Sequence, residues 1–197
     1  MVYYIKGIWY SIKQLYLQPG HAIRDYIEGK RINHFKPLSL VIVLATVYAL
    51  IYHLGNINLL SSDNESSLEI TENIFHHYYW FVVATTPLNA LATFLFFKKT
   101  GYNYSEMFIL ESFKTSQRLL LHILSLGILF VFNSPTSIKT INYSLIVIDL
   151  LLIIWSNIQF FKTFPTVEVI IKSLLSFTLY TLVFFVILVG YDLLIGL

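Results

Sequence analysis

The chain has 197 residues, of which 56% are apolar, 17% aromatic and 12% charged, with a formal net charge of +2 and a mean hydropathy of +0.68. Soluble domains carry about 25% charged residues, so this composition points to a bilayer rather than water as the solvent. The absence of Cys excludes a disulfide framework, a Cys-ligated metal centre and a thiol nucleophile, and the small net charge gives nucleic acid no electrostatic footprint.

Residues 3–17 place Ile5, Ile8, Trp9, Ile12, Leu15 and Tyr16 at helical spacing, with Lys6, Lys13 and Gln14 on the other side. Tyr3, Tyr4, Trp9, Tyr10 and Tyr16 add rings favoured at headgroup depth, which predicts a helix lying in the interface. Pro19-Gly20 breaks it. A second amphipathic helix is expected over 21–32, with Ala22, Ile23, Tyr26 and Ile27 on one face and Arg24, Asp25, Glu28, Lys30 and Arg31 elsewhere. This 1–36 unit reads as a membrane-surface anchor. The sharper alternative is a headgroup or phosphate site formed by Arg24, Lys30 and Arg31, because short basic clusters beside a span attract anionic lipid.

A spanning helix needs about 20 mostly apolar residues, and five segments satisfy this: 37–53, 78–97, 113–132, 143–161 and 169–191. The expected fold is therefore all-α, a five-span transmembrane domain over 37–197 preceded by two interfacial helices. Twelve of the 13 basic residues fall on one side, the exception being Lys139, while the loop between the first two spans carries Asp63, Glu65, Glu69 and Glu72. By the positive-inside rule the N-terminus is cytoplasmic and the C-terminus outside. No cleavable signal peptide is expected. The N-x-S matches at Asn64, Asn103 and Asn142 carry no weight, and His76-His77 lacks a third ligand and reads as an interface pair.

Ionisable groups at bilayer depth are costly and tend to mark function. Glu111, Lys114, Arg118 and His122 form one stripe along the third span, Pro87 and Asn89 interrupt the second, and Asp149 lies within the fourth. Counted from the cytoplasmic span ends at about 1.5 Å per residue, Asn89, His122 and Asp149 fall near one level, with Arg118 able to reach it. This polar layer could simply bind helices together, at about 0.6 kcal/mol per contact, or could serve a substrate or proton pathway; a catalytic role ranks last. Walker, zinc-protease, serine-hydrolase and dinucleotide strings are all missing.

The string LQPGHAIRDYIEGKRINHFKP, residues 17–37, resembles the signature of a family of uncharacterised multi-pass membrane proteins of the Bacteroidota, in which Pro-Gly, Ile-Arg-x-Tyr, Gly-Lys-Arg and Pro lead into the first span. The likeness continues through Pro87-Leu88-Asn89-Ala90 and residues 101–106. The resemblance implies a bacterial inner-membrane protein and transfers no activity. Many members begin with a Cys-rich, zinc-ribbon-like segment that is missing from this sequence.

Three functions remain. The first is a non-enzymatic scaffold or accessory membrane partner whose cytoplasmic face contacts anionic lipid, with a second copy or another membrane protein as its protein partner. The second is a small transporter using the Asn89, Arg118, His122 and Asp149 layer, and the third a lipid-modifying enzyme. No cofactor or metal is expected.

Overall fold

The computed structural model describes residues 2–32, 34–54, 78–132 and 134–195, which form seven α-helices and no strand among the described residues. They are α1 (Val2–Leu17), α2 (Pro19–Ile27), α3 (Pro37–Leu54), α4 (Tyr78–Phe97), α5 (Tyr104–Val131), α6 (Pro135–Phe160) and α7 (Thr166–Ile195). The acidic loop 55–77, with Asn64 and His76-His77, lies outside the described residues.

Local chemistry fixes the helix ends. Pro19, Pro37 and Pro135 open α2, α3 and α6, where a missing N–H costs nothing. A 3-10 turn, Lys98–Thr100, ends at Gly101 with φ +85°, and Asn103 then starts α5 through a reciprocal cap. Its Oδ1 accepts from the Glu106 N–H at 2.9 Å, and its own N–H donates to Glu106 Oε2 at 2.7 Å. Helix α5 thus begins nine residues before the expected 113. Within α4, Pro87 removes one backbone donor, and the flanking Thr85 and Thr86 hydroxyls donate to the Phe81 and Val82 carbonyls at 2.6 and 2.8 Å.

Four helical segments are long and apolar enough to cross a membrane: Pro37–Leu54, Phe81–Thr100, Pro135–Phe160 and Thr166–Ile187. By helix composition this is a multi-pass membrane protein. The exception among the long helices is α5, whose 28 residues carry Glu106, Glu111, Lys114 and Arg118. Its placement accounts for the charges. Helix α5 is the most widely contacted helix, packed on by α3, α4 and α6 and, along its first half, by α1 and α2, while α7 packs against α4 and α6. Apolar exposure falls on the outer helices, as at Leu50, Val147, Leu151, Leu182 and Phe185, and on the second half of α5, at Leu124, Ile128, Phe130 and Val131.

The N-terminal pair therefore does more than lie in an interface. Ser11, Leu15, Ile23 and Tyr26 are buried against the bundle, whereas Trp9, expected on the apolar face, is 69% exposed. Ser11 replaces it on the inward face and its Oγ accepts from the Phe35 N–H at 2.8 Å, fixing the approach to α3. Helix α2 stops at Ile27, short of the expected 32, because Gly29 takes φ +102° and Lys30 turns back so that its Nζ reaches Asp25 Oδ1 at 2.7 Å.

Candidate functional site: polar clusters along α5

Polar side chains on α5 form two clusters and one linking face. Nearest the basic end, where Lys98, Lys99 and Lys162 also lie, Glu111 is fully buried and its carboxylate accepts three hydrogen bonds. Asn89 Nδ2 donates to Oε2 at 3.0 Å, Thr93 Oγ1 to Oε1 at 2.7 Å, and Lys114 Nζ to Oε1 at 2.6 Å. A carboxylate removed from water requires this number of donors, since an uncompensated buried charge costs several kcal/mol. The i, i+3 spacing of Glu111 and Lys114 provides one partner, and Asn89 and Thr93, four apart on the antiparallel α4, provide the others.

One turn further, α4, α5 and α7 border a partly open cavity of about 120 Å³. Asn89, Thr115 and Arg118 line the end toward Glu111, with Thr85, Thr86 and Tyr180 along the walls. Phe81, Val82, Leu119 and Phe184 line the other end. The Tyr180 hydroxyl donates to Thr85 Oγ1 at 3.1 Å, and Arg118 Nη2 reaches Thr115 Oγ1 at 3.4 Å. Among the described residues, Arg118 is the one charged residue of that lining.

Beyond the cavity, His122 Nε2 lies 2.9 Å from Asp149 Oδ2, both side chains being 16% exposed. The expected layer is thus divided: His122 meets Asp149, Asn89 meets Glu111, and Arg118 shares the cavity with Asn89. The division follows from where α5 begins. Starting at Tyr104, its residue level with Asn89 is Glu111, while His122 is about 27 Å along the helix at 1.5 Å per residue.

On the opposite side of α5, Gln117 joins three helices. Its Nε2 donates to the Leu15 carbonyl at 2.8 Å, its Oε1 accepts from Ser156 Oγ at 3.2 Å, and its own carbonyl accepts from the Tyr16 hydroxyl at 2.8 Å. Burial, together with the charge of Asp149, pushes the Tyr16 phenol up to about 12. Neighbouring Asn157 donates to Ser173 Oγ at 2.8 Å, tying α6 to α7.

Of the three N-terminal basic residues, Arg24 points inward. Its Nη2 donates to the main-chain carbonyls of Gln159, at 2.7 Å, and Phe160, where the last turn of α6 leaves acceptors open. The Gly20 N–H donates to Gln159 Oε1 at 3.1 Å at the same place. Lys30 and Arg31 face outward: Lys30 pairs with Asp25, which raises its pKa, and Arg31 lies over the Tyr26 ring with Nε donating to the Tyr26 carbonyl at 3.2 Å. A second outward basic feature borders a groove of about 550 Å³ between the ends of α4 and α7, where Lys98 and Lys99 are exposed and Lys172 pairs with Glu168 at 2.7 Å over the Phe164 ring. Among the described residues no group of three His, Asp or Glu gathers as metal ligands would.

Sequence spacing located the Glu111 to His122 stripe but passed over Gln117 and Tyr180. A lone amide or phenol in an apolar run gives no periodic signal, and its importance depends on which helix lies opposite. Comparison with known proteins adds one similarity: residues 6–49 match the model of a family described as a protein of unknown function (DUF3667). That stretch covers most of α1, all of α2 and the first two-thirds of α3, including Gly20 and Arg24. No curated protein and no solved structure matches the chain.

Proposed function

We propose that this chain is a five-span protein of a bacterial inner membrane, with a cytoplasmic N-terminus, acting as a non-enzymatic scaffold or accessory partner whose basic end rests on anionic lipid. Helix α5 is the fifth span. Its charges are compatible with crossing because protein, not hydrocarbon, surrounds them.

The observation that carries the reading is how the central helix spends its polar groups. Glu111, Gln117 and His122 each bond to side chains or carbonyls of other helices, so they hold α1, α4, α5 and α6 in register. A cavity of about 120 Å³ holds roughly four waters at about 30 Å³ each, and neither His122 nor Asp149 lines it. A permease would need a longer passage. The basic end supports lipid contact: Lys30, Arg31, Lys98 and Lys99 are exposed there, and each such charge near an anionic leaflet contributes about 1 kcal/mol.

The test is native mass spectrometry of protein purified from its own membranes in mild detergent. Anionic lipids should co-purify in preference to zwitterionic ones, should be lost with rising salt and in a Lys30→Ala, Arg31→Ala variant, and a second protein should appear in stoichiometric amount. Equal retention of both lipid classes and a chain recovered alone would refute the proposal.

A further inference from the structure

Resting on the anionic-lipid contact proposed for the basic end, we infer that one anionic glycerophospholipid occupies the groove between the end of α4 and the start of α7, with its phosphate at Lys98 and Lys99 and an acyl chain along Leu95.

Charge selects the headgroup. Among the described residues the groove is lined by Leu95, Phe96, Lys98 and Lys99 from the α4 side and by Glu168 and Lys172 from α7. Lys98 and Lys99 are exposed and enter none of the ion pairs formed among the described residues. Lys172 differs: its Nζ lies 2.7 Å from Glu168 Oε1, 3.5 Å from the Phe164 ring centroid and 5.8 Å from that of Phe97. Glu168 and Lys172 neutralise each other, so the net positive charge of the groove is that of Lys98 and Lys99. A phosphodiester answers it, whereas a zwitterionic headgroup brings a cation of its own against the two lysines.

Exposed lysines alone attract anionic lipid diffusely. What makes a seat here is the apolar surface beneath them. Leu91, Leu95 and Lys98 are spaced by four and three residues, so they fall on one face of α4 and its terminal turn, and both leucines are exposed. At about 1.5 Å per residue, Leu95 lies about 5 Å and Leu91 about 10 Å deeper than Lys98. Glu168, Lys172 and Leu175 repeat this order on α7, charge first and an exposed leucine beyond it. Helices α4 and α7 pack together, and Lys172 beside the Phe97 ring holds the two stripes side by side at their charged ends. Cations at headgroup depth above leucines at acyl depth match the order of groups in a phospholipid. A free phosphate would use only the charged end, and an open groove of about 550 Å³, room for about 18 waters at about 30 Å³ each, does not enclose so small an ion.

The experiment uses the full chain in phosphatidylcholine nanodiscs that carry a minor fraction of phosphatidylglycerol with a photoreactive acyl chain, the adducts being located by peptide mass spectrometry. Adducts should concentrate on residues 91–96 and 171–175. Unlabelled phosphatidylglycerol should displace them, and inorganic phosphate and glycerol phosphate should not. Lys98→Ala combined with Lys99→Ala should lower groove labelling roughly tenfold or more, the order expected from two charges at an anionic headgroup. Photoreactive phosphatidylcholine should label the groove no more than the rest of the lipid-facing surface. Groove labelling that is unchanged in the double variant, equal from phosphatidylcholine, or displaced by inorganic phosphate overturns the inference. Phosphatidylglycerol adducts confined to α1 and α2 would reject the groove and leave the lipid contact of the basic end standing, whereas one adduct pattern from both lipids along the whole chain would reject both.

Discussion

Glu111 and Lys114 form an ion pair on one turn of α5, 2.6 Å between Oε1 and Nζ, with side-chain exposures of 0% and 2%. Such a pair is asymmetric in its response to mutation: breaking it leaves a bare buried charge, whereas removing both charges often costs little. Lys114→Met should destabilise the protein by about 3–5 kcal/mol, and adding Glu111→Gln to that variant should restore a large part of the loss. Unfolding of both variants in detergent by denaturant titration checks this. Additive losses would show that the pair does not act as a unit.

Gly20 packs so closely on the end of α6 that a Cβ there would fall 2.4 Å from Gln159 Cβ and 2.4 Å from the Phe160 nitrogen. Backbone cannot yield as a side chain end does, so Gly20→Ala should lift α2 from α6 at a cost of about 1–3 kcal/mol. Hydrogen exchange at α2 and at the last turn of α6 should rise together. Gly127→Ala is the contrast, because a Cβ there meets nothing within 4 Å, and the change should stabilise α5 by about 0.5–1 kcal/mol.

His34 sits among the rings of Tyr10, Tyr26 and Phe113, with centroids 5.0, 6.0 and 6.3 Å away. Burial lowers its pKa below the usual 6.5. A depressed folded-state pKa means that the unfolded chain binds the proton more readily, so the contribution to stability is full above pH 6.5 and declines as pH falls through the folded value. Acidification from pH 7.5 should loosen the approach to α3, seen as faster exchange at α2 and the start of α3, and His34→Phe should remove that dependence.

Tyr16 has the opposite sign. Its folded pKa of about 12 exceeds the ordinary 10.0, so its contribution is complete below pH 10 and lost as pH rises through 12. Tyr16→Phe removes the bond to the Gln117 carbonyl at a cost of about 0.5–1.5 kcal/mol. The variant should also unfold with less sensitivity to alkali than the native chain, measured as the difference in midpoint between pH 9 and pH 12.

Much of the fold was legible because hydrophobic length is a strong signal: the apolar runs of α3, α4, α6 and α7 stand out from their flanks. Helix α5 is harder to read from composition, since Glu111, Lys114 and Arg118 lower its hydropathy, and only knowledge of its neighbours shows that these charges are enclosed. The nine residues by which α5 precedes the expected span have a local cause. Asn103 and Glu106 are a capping box in sequence as well as in structure, and reading them as one would have put Glu111, not His122, level with Asn89. Arg24 illustrates the opposite limit. Beside Lys30 and Arg31 it looks like a third surface charge, and nothing local distinguishes the arginine that caps a helix 135 positions away.

On the proposed reading, α5 crosses the bilayer packed among α3, α4 and α6. Because the chain contains no Cys, single cysteines can be placed without background at Thr100, Thr136 and Thr163 and labelled in intact and opened cells with a membrane-impermeant thiol reagent. The account predicts labelling of Thr136→Cys in intact cells and of Thr100→Cys and Thr163→Cys only after opening. Labelling of Thr100→Cys and Thr136→Cys under the same condition would place both ends of α5 on one side and contradict it.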